Sequence, residues 1–337
     1  MIIENYPHKL GIHCETGSIK NMLEFYHYET SEFMIFGIGS GYDFIHFPFP
    51  LFNGCETPLF RNTPGKVFKQ FAKRMHIDYE IRKFANPDKS MEALDTLLNQ
   101  NIPAGIVAEI QLLPFFPLHD RSFPAHTLVI IGKEEDEYIV SDVDWHFPDA
   151  SLHKIKADDL KKARYPKVAF SPKGKMMYIR SVPEKMDIEK GIIEGIKETC
   201  HKMLDIPIPF FGVKGIYFFS KRVRIYEKKY GKRRALDNLK WQLQLSEEAG
   251  TGGSGYRYMY AGFLKESAEY LKDEDLLALS VYMRNIADKW QEFALEARRY
   301  YKNNEGKNMN FLADIAYSIA EMEEKLFSDL RQWVKAK

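Results

Sequence analysis

Hydrophobic residues follow two different periods over the first half of the chain. Apolar residues of the first stretch recur at the spacing of one helix face: Ile19, Met22, Leu23 and Tyr26. The stretches 64–77 and 88–100 repeat this spacing and predict two further helices. Four short stretches, rich in β-branched residues and bounded by turn residues, predict strands: 103–110, 125–134, 137–144 and 175–182. Residues 1–184 therefore predict a domain of mixed helices and strands.

From about residue 185 the pattern becomes helical throughout. Ile188, Ile192 and Ile196 lie at helical spacing, and long amphipathic stretches with few helix breakers follow them. These stretches predict an all-helical domain over residues 185–337, joined to the first domain through residues 182–187. The predicted fold class is α+β.

Length and charge are those of an ordinary two-domain protein. The chain has 337 residues, of which 45% are hydrophobic, enough for a sizeable core. Lys and Arg number 48 against 47 Asp and Glu, so the charge balance does not favour nucleic acid or an anionic membrane surface as a partner. No apolar run is long enough to span a membrane, and the first residues lack the features of a signal peptide. We therefore expect a cytoplasmic protein without a membrane partner.

Cysteine usage singles out one position. The three cysteines are scattered, without a C-x-x-C pair, which favours a reducing compartment over a disulfide framework: Cys14, Cys55 and Cys200. Cys14 directly precedes the first predicted helix, which Thr16 or Ser18 could cap. Unpaired N–H groups and the helix dipole favour a thiolate there. The alternative is a buried cysteine that acts as a small hydrophobic residue, but its neighbours His13 and Glu15 are polar.

A histidine and a carboxylate complete a candidate triad. His126 opens the predicted strand 125–134, and Asp142 lies near the end of the strand 137–144. If the two strands form a hairpin, the start of the first lies beside the end of the second, and Asp142 can hold the imidazole in one tautomer. The order Cys14, His126, Asp142 is that of papain-like enzymes. The alternative for His126 alone is a structural histidine at a strand end.

A metal site is a weaker interpretation of the same residues. Asp142, Asp144 and His146 alternate, so an extended strand would point them to one face, where His126 and Cys14 could join them around zinc or iron. The set lacks a recognised ligand spacing, so we expect no metal and no other cofactor. Asp144 then becomes a substrate-facing carboxylate, a carboxylate behind the triad, or a turn residue.

Glycine-rich stretches supply further candidates. Residues 32–52 are aromatic and glycine-rich without a helical period, and their glycines lack the spacing of a dinucleotide-binding loop. Gly39 and Gly41 instead suit a close approach of backbone beside Cys14. A second glycine-rich stretch, 250–257, lacks the Lys-Ser/Thr of a phosphate loop and is either a flexible connection or a means of bringing Arg257 and Tyr260 to an anionic ligand. The basic residues within 221–234 form either a solvated helix face or a patch for an acidic partner protein.

Several of these stretches resemble a known family. HCETGSIKNMLEFY at 13–26, FGIGSG at 36–41 and AHTLVIIGKEEDEYIVSD at 125–142 resemble the N-terminal domain of the butirosin-biosynthesis acyltransferases, the butirosin biosynthesis protein H-like family. GTGGSGYRYMYAGFL at 250–264 resembles the DUF4872-like helical domain that commonly follows it. The resemblance implies a papain-like, cysteine-peptidase-type domain over residues 1–184.

The resemblance also implies a reaction. It is that of a cysteine-dependent acyltransferase of secondary-metabolite biosynthesis, in which Cys14 takes an acyl group from a carrier-protein or other thioester and passes it to a small amine. His126 would act as the base and Asp142 would orient it. One departure is that no glutamine lies a few residues before Cys14, so the second oxyanion donor beside the Cys14 N–H is left open, with His8 and His13 as candidates.

Two other functions stay open at this point. The same triad would serve a peptidase or an amidase, in which water replaces the amine, and a non-catalytic scaffold could keep the fold. For transfer, water must be excluded from the acyl-enzyme. We therefore expect the helical domain to cover the cleft, with Arg257 and Tyr260 facing Cys14. The sequence does not fix the oligomeric state, and a homodimer is one of the alternatives.

Overall fold

The computed structural model describes residues 2–52, 54–116, 122–144, 147, 149–168, 170–248, 250–303 and 308–337. Its elements in chain order are α1 (Cys14–Phe25), α2 (Glu32–Ile38), β1 (Tyr42–Phe52), β2 (Cys55–Arg61), α3 (Lys66–Arg74), β3 (Asp78–Arg82), α4 (Pro87–Asn99), β4 (Ala104–Ala108), β5 (His126–Glu134), β6 (Glu137–Ser141), β7 (His153–Lys156), α5 (Ala157–Arg164), β8 (Met176–Ser181), α6 (Ile188–Leu204), α7 (Gly212–Leu243), α8 (Arg257–Leu271), α9 (Glu274–Asn303) and α10 (Met309–Lys335).

The chain divides into two compact units. Residues 1–35 and 63–188 form the first, here called the sheet unit, and residues 36–62 and 189–337 form the second, the helical unit. The predicted boundary at 184/185 lies close to the third passage of the chain between the units, at 188/189. The segment 36–62, which the sequence analysis assigned to the N-terminal domain, groups with the helical unit instead.

The sheet unit is built on one antiparallel sheet with the strand order β3-β8-β4-β5-β6-β7. The helix α1 contacts the central strand β5, and its apolar face is buried: Ile19, Met22 and Leu23. The strand β5 is buried from His126 to Gly132, which explains its continuous apolar sequence. The core of this unit therefore lies between α1 and the sheet.

Strand register brings the triad candidates to one end of this sheet. His126, the first residue of β5, pairs with Ala108, the last residue of β4. Ser141, the last residue of β6, pairs with Val129 of β5, so Asp142 follows immediately beyond the sheet. The predicted hairpin between these strands is present, with Glu134 paired to Glu137. Because adjacent antiparallel strands run in opposite directions, the start of β5 and the end of β6 coincide.

The helical unit combines the β1–β2 hairpin with α7 to α10 and most of α6. Alternate residues of β1 are fully buried within it, namely Tyr42, Phe44 and His46. The apolar faces of the long helices supply the rest of the core, including Phe219, Trp290 and Phe327. α7 is interrupted at Gly231, whose φ of 76° and ψ of 162° leave the helical region.

The α+β class and the all-helical C-terminal region predicted from the sequence are confirmed. The expectation of no helical period over residues 32–52 is wrong at its start, because Glu32–Ile38 is a helix. Among the helices described here, none is both long and apolar enough to cross a membrane.

Candidate active site

Cys14 is the first residue of α1 and is partly exposed. The N-cap is His13, not Thr16 or Ser18 as expected, and its Nδ1 accepts the Thr16 N–H at 3.4 Å. N–H groups in the first turn of a helix have no acceptor within the helix, and the dipole there favours negative charge. Cys14 therefore lies where the backbone stabilises a thiolate.

Two glycines allow the turn that holds Cys14 to approach the residue after Asp142. The Gly11 N–H donates to the Val143 carbonyl at 2.7 Å. A Cβ atom at Gly17 would lie only 2.9 Å from Cγ2 of Val143, so a larger residue would push the first turn of α1 outward. Chain segments far apart in sequence are thus joined directly beside the candidate triad.

The structure brings Cys14, His126 and Asp142 together. The Nε2 atom of His126 lies 2.7 Å from Oδ2 of Asp142, and the Cys14 side chain is a hydrogen-bond partner of the same ring. Since Asp142 occupies Nε2, the nitrogen that serves Cys14 is Nδ1. His126 is 2% exposed and Asp142 is fully buried. An imidazole held between a thiol and a carboxylate can take a proton from the thiol and return it.

Electrostatics favour the charged form of this imidazole. Burial alone would lower the pKa of His126, but the charge of Asp142, its hydrogen bond and the Cys14 side chain outweigh burial and raise the pKa well above its ordinary value. The surroundings of His126 therefore favour the protonated ring over the neutral one. A protonated imidazole is the partner that a thiolate needs.

Aromatic rings surround the buried face of this pair. Phe116 meets the His126 ring edge-on, with the ring centroids 5.2 Å apart, and Phe147 packs against Phe116 at 5.4 Å. Both phenylalanines are buried. The apolar wall excludes water from the ring and strengthens its interaction with Asp142.

Asp144 holds Asp142 from behind rather than replacing it. The Asp144 backbone N–H donates to Oδ1 of Asp142 at 3.2 Å, which leaves Oδ2 for the histidine. His146, the remaining member of the predicted metal set, lies outside the described residues. Among the residues that the structure describes, no group of three or more His, Cys, Asp or Glu side chains is arranged to hold a metal ion.

The two histidines considered as oxyanion donors have other roles. His8 Nδ1 lies 2.8 Å from the Ser141 hydroxyl, and burial lowers the pKa of His8. His8 thus fixes the end of β6, next to Asp142. The ring of His13 is buried and caps α1 through Nδ1.

Gly39 and Gly41, expected to lie beside Cys14, belong to the helical unit. Gly39 and Gly41 lie in the turn between α2 and β1, and a Cβ atom at Gly41 would lie 2.4 Å from the Phe36 ring, so close packing explains this glycine. Their role toward a substrate stays a prediction.

Arg257 and Tyr260 are fully buried inside the helical unit. The Arg257 guanidinium donates to Glu323 Oε1 from Nε at 3.0 Å and from Nη2 at 2.9 Å, and lies 4.7 Å from the centre of the Trp290 ring. A cation neutralised in this way and sealed from solvent has a structural role. That role replaces the expected contact between Arg257 and an anionic ligand.

Glu32, the first residue of α2, also belongs to the surroundings of Cys14 but was not predicted from the sequence. Its buried carboxylate accepts hydrogen bonds from both sides of Cys14 in the chain: from Ile12, His13 and Thr16. No motif marks such a residue, because its partners are fixed by the path of the chain and not by spacing.

Comparisons with known proteins agree with the resemblance drawn from the sequence. The family model for butirosin biosynthesis protein H, N-terminal, matches residues 13–143, and the model for a domain of unknown function, DUF4872, matches residues 158–330. A crystal structure from Bacillus anthracis, described as a C39-like peptidase, is similar at 13% identity with a TM-score of 0.36, covering 55% of this chain and 98% of that one. No curated protein matches the chain. The chain belongs to the DUF4872 family, and the region ahead of its DUF4872 match is similar to the N-terminal part of butirosin biosynthesis protein H.

Proposed function

We propose that this protein is a cysteine-dependent acyltransferase that passes an acyl group from a thioester to an amine through Cys14. The observation that carries the proposal is the hydrogen-bonded series from Cys14 through His126 to Asp142, with Cys14 at the start of a helix. Acyl transfer as the reaction type is what the resemblance to the butirosin-biosynthesis acyltransferases implies, and residues 13–143 match the family model for butirosin biosynthesis protein H, N-terminal.

In the first half-reaction the Cys14 thiolate attacks the carbonyl carbon of the donor thioester. The C–S bond of the donor breaks, and His126 gives its proton to the departing thiolate. Cys14 then carries the acyl group, and His126 is neutral.

In the second half-reaction the neutral His126 takes a proton from the attacking amine. The new C–N bond forms, and the bond between the acyl carbon and Cys14 Sγ breaks. The products are an amide and the original thiolate–imidazolium pair. Throughout, Asp142 holds the ring orientation and stabilises its charge. The Cys14 N–H can donate to the oxyanion of each tetrahedral intermediate. The partners in this proposal are a thioester donor, on a carrier protein or another thiol, and a small amine acceptor.

Acylation can be measured directly on the intact protein. Incubation with acyl thioesters of N-acetylcysteamine, followed by intact mass spectrometry, should add one acyl mass to the wild type and none to Cys14→Ser. Cys200→Ser is the matched control, because Cys200 is buried and should not affect acylation. The absence of any wild-type adduct, or an adduct that persists in Cys14→Ser, would overturn the proposal.

A chase with small primary amines separates transfer from hydrolysis. Loss of the adduct with formation of the corresponding amide supports an acyltransferase. Equal rates of loss with and without amine, yielding only free acid, would instead indicate a hydrolase acting through the same residues.

A further inference from the structure

A single buried carboxylate holds the chain on both sides of Cys14. Glu32 Oε1 accepts the Ile12 N–H at 2.8 Å, and Oε2 accepts the His13 N–H at 3.1 Å and the Thr16 hydroxyl at 2.7 Å. All of these residues belong to the sheet unit, and Glu32 is 8% exposed.

The contact is close along the whole turn. A Cβ atom at Gly11 would lie 2.9 Å from Glu32 Oε1, so the turn leaves no room for a side chain there. A buried carboxylate is costly unless hydrogen bonds satisfy it, and here every donor named comes from residues 12–16. The carboxylate therefore fixes the backbone immediately before Cys14 and the helix turn immediately after it.

We propose that Glu32 is a positioning residue that keeps Cys14 Sγ within hydrogen-bond reach of His126. This inference rests on the proposed function, because it assigns Glu32 a role in keeping Cys14 reactive. Glu32 acts through the turn it holds, and not by contact with the substrate.

The two effects of Glu32→Gln, loss of a negative charge and loss of a hydrogen-bond acceptor, should shift the pH dependence of Cys14 reactivity in opposite directions. A negative charge beside the turn repels a thiolate, so loss of that charge alone would let Cys14 react at lower pH. Loss of an acceptor loosens the turn, weakens the contact with His126 and moves the reactivity of Cys14 to higher pH. An amide cannot accept at both of its ends, so Glu32→Gln breaks one side of the clamp.

The test is the rate of Cys14 alkylation by iodoacetamide as a function of pH, followed by peptide mass spectrometry. For Glu32→Gln we expect the half-maximal pH to rise by about one unit, with a rate about tenfold lower on the acid side and an unchanged plateau at high pH. Thr16→Val removes one donor without changing any charge and should shift the profile by less in the same direction. Thr16→Ser, which keeps the hydroxyl, and Glu29→Gln, at an exposed position nearby, should match the wild type.

A role in folding alone would lower thermal stability without moving the pH profile. If Glu32→Gln does not fold, Thr16→Val and Thr16→Ser decide the question. If Cys14 reacts fast in the wild type but its pH profile in Glu32→Gln and in Thr16→Val is unchanged or shifted to lower pH, the role of Glu32 alone is overturned. A wild-type Cys14 that reacts no faster than Cys55 and Cys200 would overturn the proposed function and the positioning role together.

Discussion

At the scale of single residues, the chemistry of the site depends on the charge state of His126. Burial in an aromatic environment disfavours the imidazolium, and Asp142 at 2.7 Å reverses this preference. The imidazolium is therefore favoured only while the Asp142 carboxylate is present and correctly placed. Removal of that carboxylate should expose the effect of burial.

Asp142→Asn should therefore lower the pKa of His126. In the wild type this pKa lies well above the ordinary value, whereas burial without a carboxylate partner pushes it below. NMR titration of the His126 ring measures this directly. His153→Gln, a change near Asp142 that leaves the pair intact, is a suitable control. An unchanged pKa in Asp142→Asn would show that Asp142 does not control the imidazole.

The pairing of His126 with Asp142 could be predicted because it depends on local rules. Two short strands rich in β-branched residues and joined by a short turn fix which residues meet, and the hairpin register follows from that. The contact of Cys14 with the same ring needs the packing of α1 on the sheet, which the chain order of a papain-like site only suggests. Glu32 and His8 could not be predicted, since each contact joins parts of the chain with no common pattern.

At the scale of elements, a buried carboxylate also joins the β1–β2 hairpin to α7. The carboxylate of Glu56 in β2 accepts hydrogen bonds from Nε and Nη2 of Arg222 and from the Tyr230 hydroxyl, the last at 2.6 Å. Its Oε2 atom also lies 2.9 Å from Nε2 of His46 in β1. Burial opposes the ionised form, but these partners outweigh it and lower the pKa of Glu56 to about 2. The ion pair therefore needs pH values at which Glu56 is charged.

Stability of the helical unit should fall in acid through this group. Folding lowers the pKa of this carboxyl from its ordinary value of 4.5 to about 2. Its contribution to stability is therefore fully present at pH values above 4.5 and is lost as the pH falls toward about 2. Glu56→Gln should cost about 3–5 kcal/mol at neutral pH, because it leaves Arg222 without its charged partner. Denaturant unfolding at several pH values checks both points.

The comparison of pH profiles is the sharper part of this experiment. The difference in unfolding free energy between wild type and Glu56→Gln should shrink steadily as the medium becomes more acidic. Asp237→Asn, at an exposed position of α7, is the control and should follow the wild type. A constant difference across the acid range would mean that Glu56 stabilises the hairpin by hydrogen bonding and packing, without a contribution from its charge.

Helices with a strong apolar period, such as α3 and α4, could be predicted from the sequence to within a few residues. The short helix α2 could not, because its residues after Glu32 are apolar or glycine and show no polar face, and a turn follows directly at residues 39–40. Apart from the glycine itself, nothing in the sequence predicts the interruption of α7 at Gly231. A Cβ atom at this position would meet nothing within 4 Å. Backbone conformation, rather than packing, therefore requires glycine at this position.

At the scale of the whole molecule, the two units are interleaved along the chain. The first unit is interrupted by residues 36–62, and these residues complete the core of the second. Sequence patterns predict domains that are consecutive along the chain, because a change of hydrophobic period can be seen in the sequence. A strand pair that packs against a distant part of the chain gives no such local signal. The β1–β2 hairpin was expected to stay with the strands around it, and tertiary contacts with α7 decide otherwise.

This interleaving predicts that residues 1–184 will not fold as an independent domain. That fragment lacks α7 to α10, so the buried side chains of its hairpin, Tyr42, Phe44 and Phe60, would be exposed to water. Each aromatic side chain of this kind costs about 1.5–3 kcal/mol when it is left exposed. The three together amount to a large fraction of the free energy of unfolding of a typical domain, about 5–15 kcal/mol. The fragment should therefore aggregate or bind hydrophobic dyes strongly, whereas the full chain should not.

Coexpression of residues 185–337 supplies the missing helices and should restore a soluble complex, with Cys14 as reactive toward iodoacetamide as in the intact chain. A fragment 1–184 that unfolds cooperatively on its own, with protected aromatic residues in the hairpin, would show that the sheet unit can accommodate residues 36–62 without the helical unit.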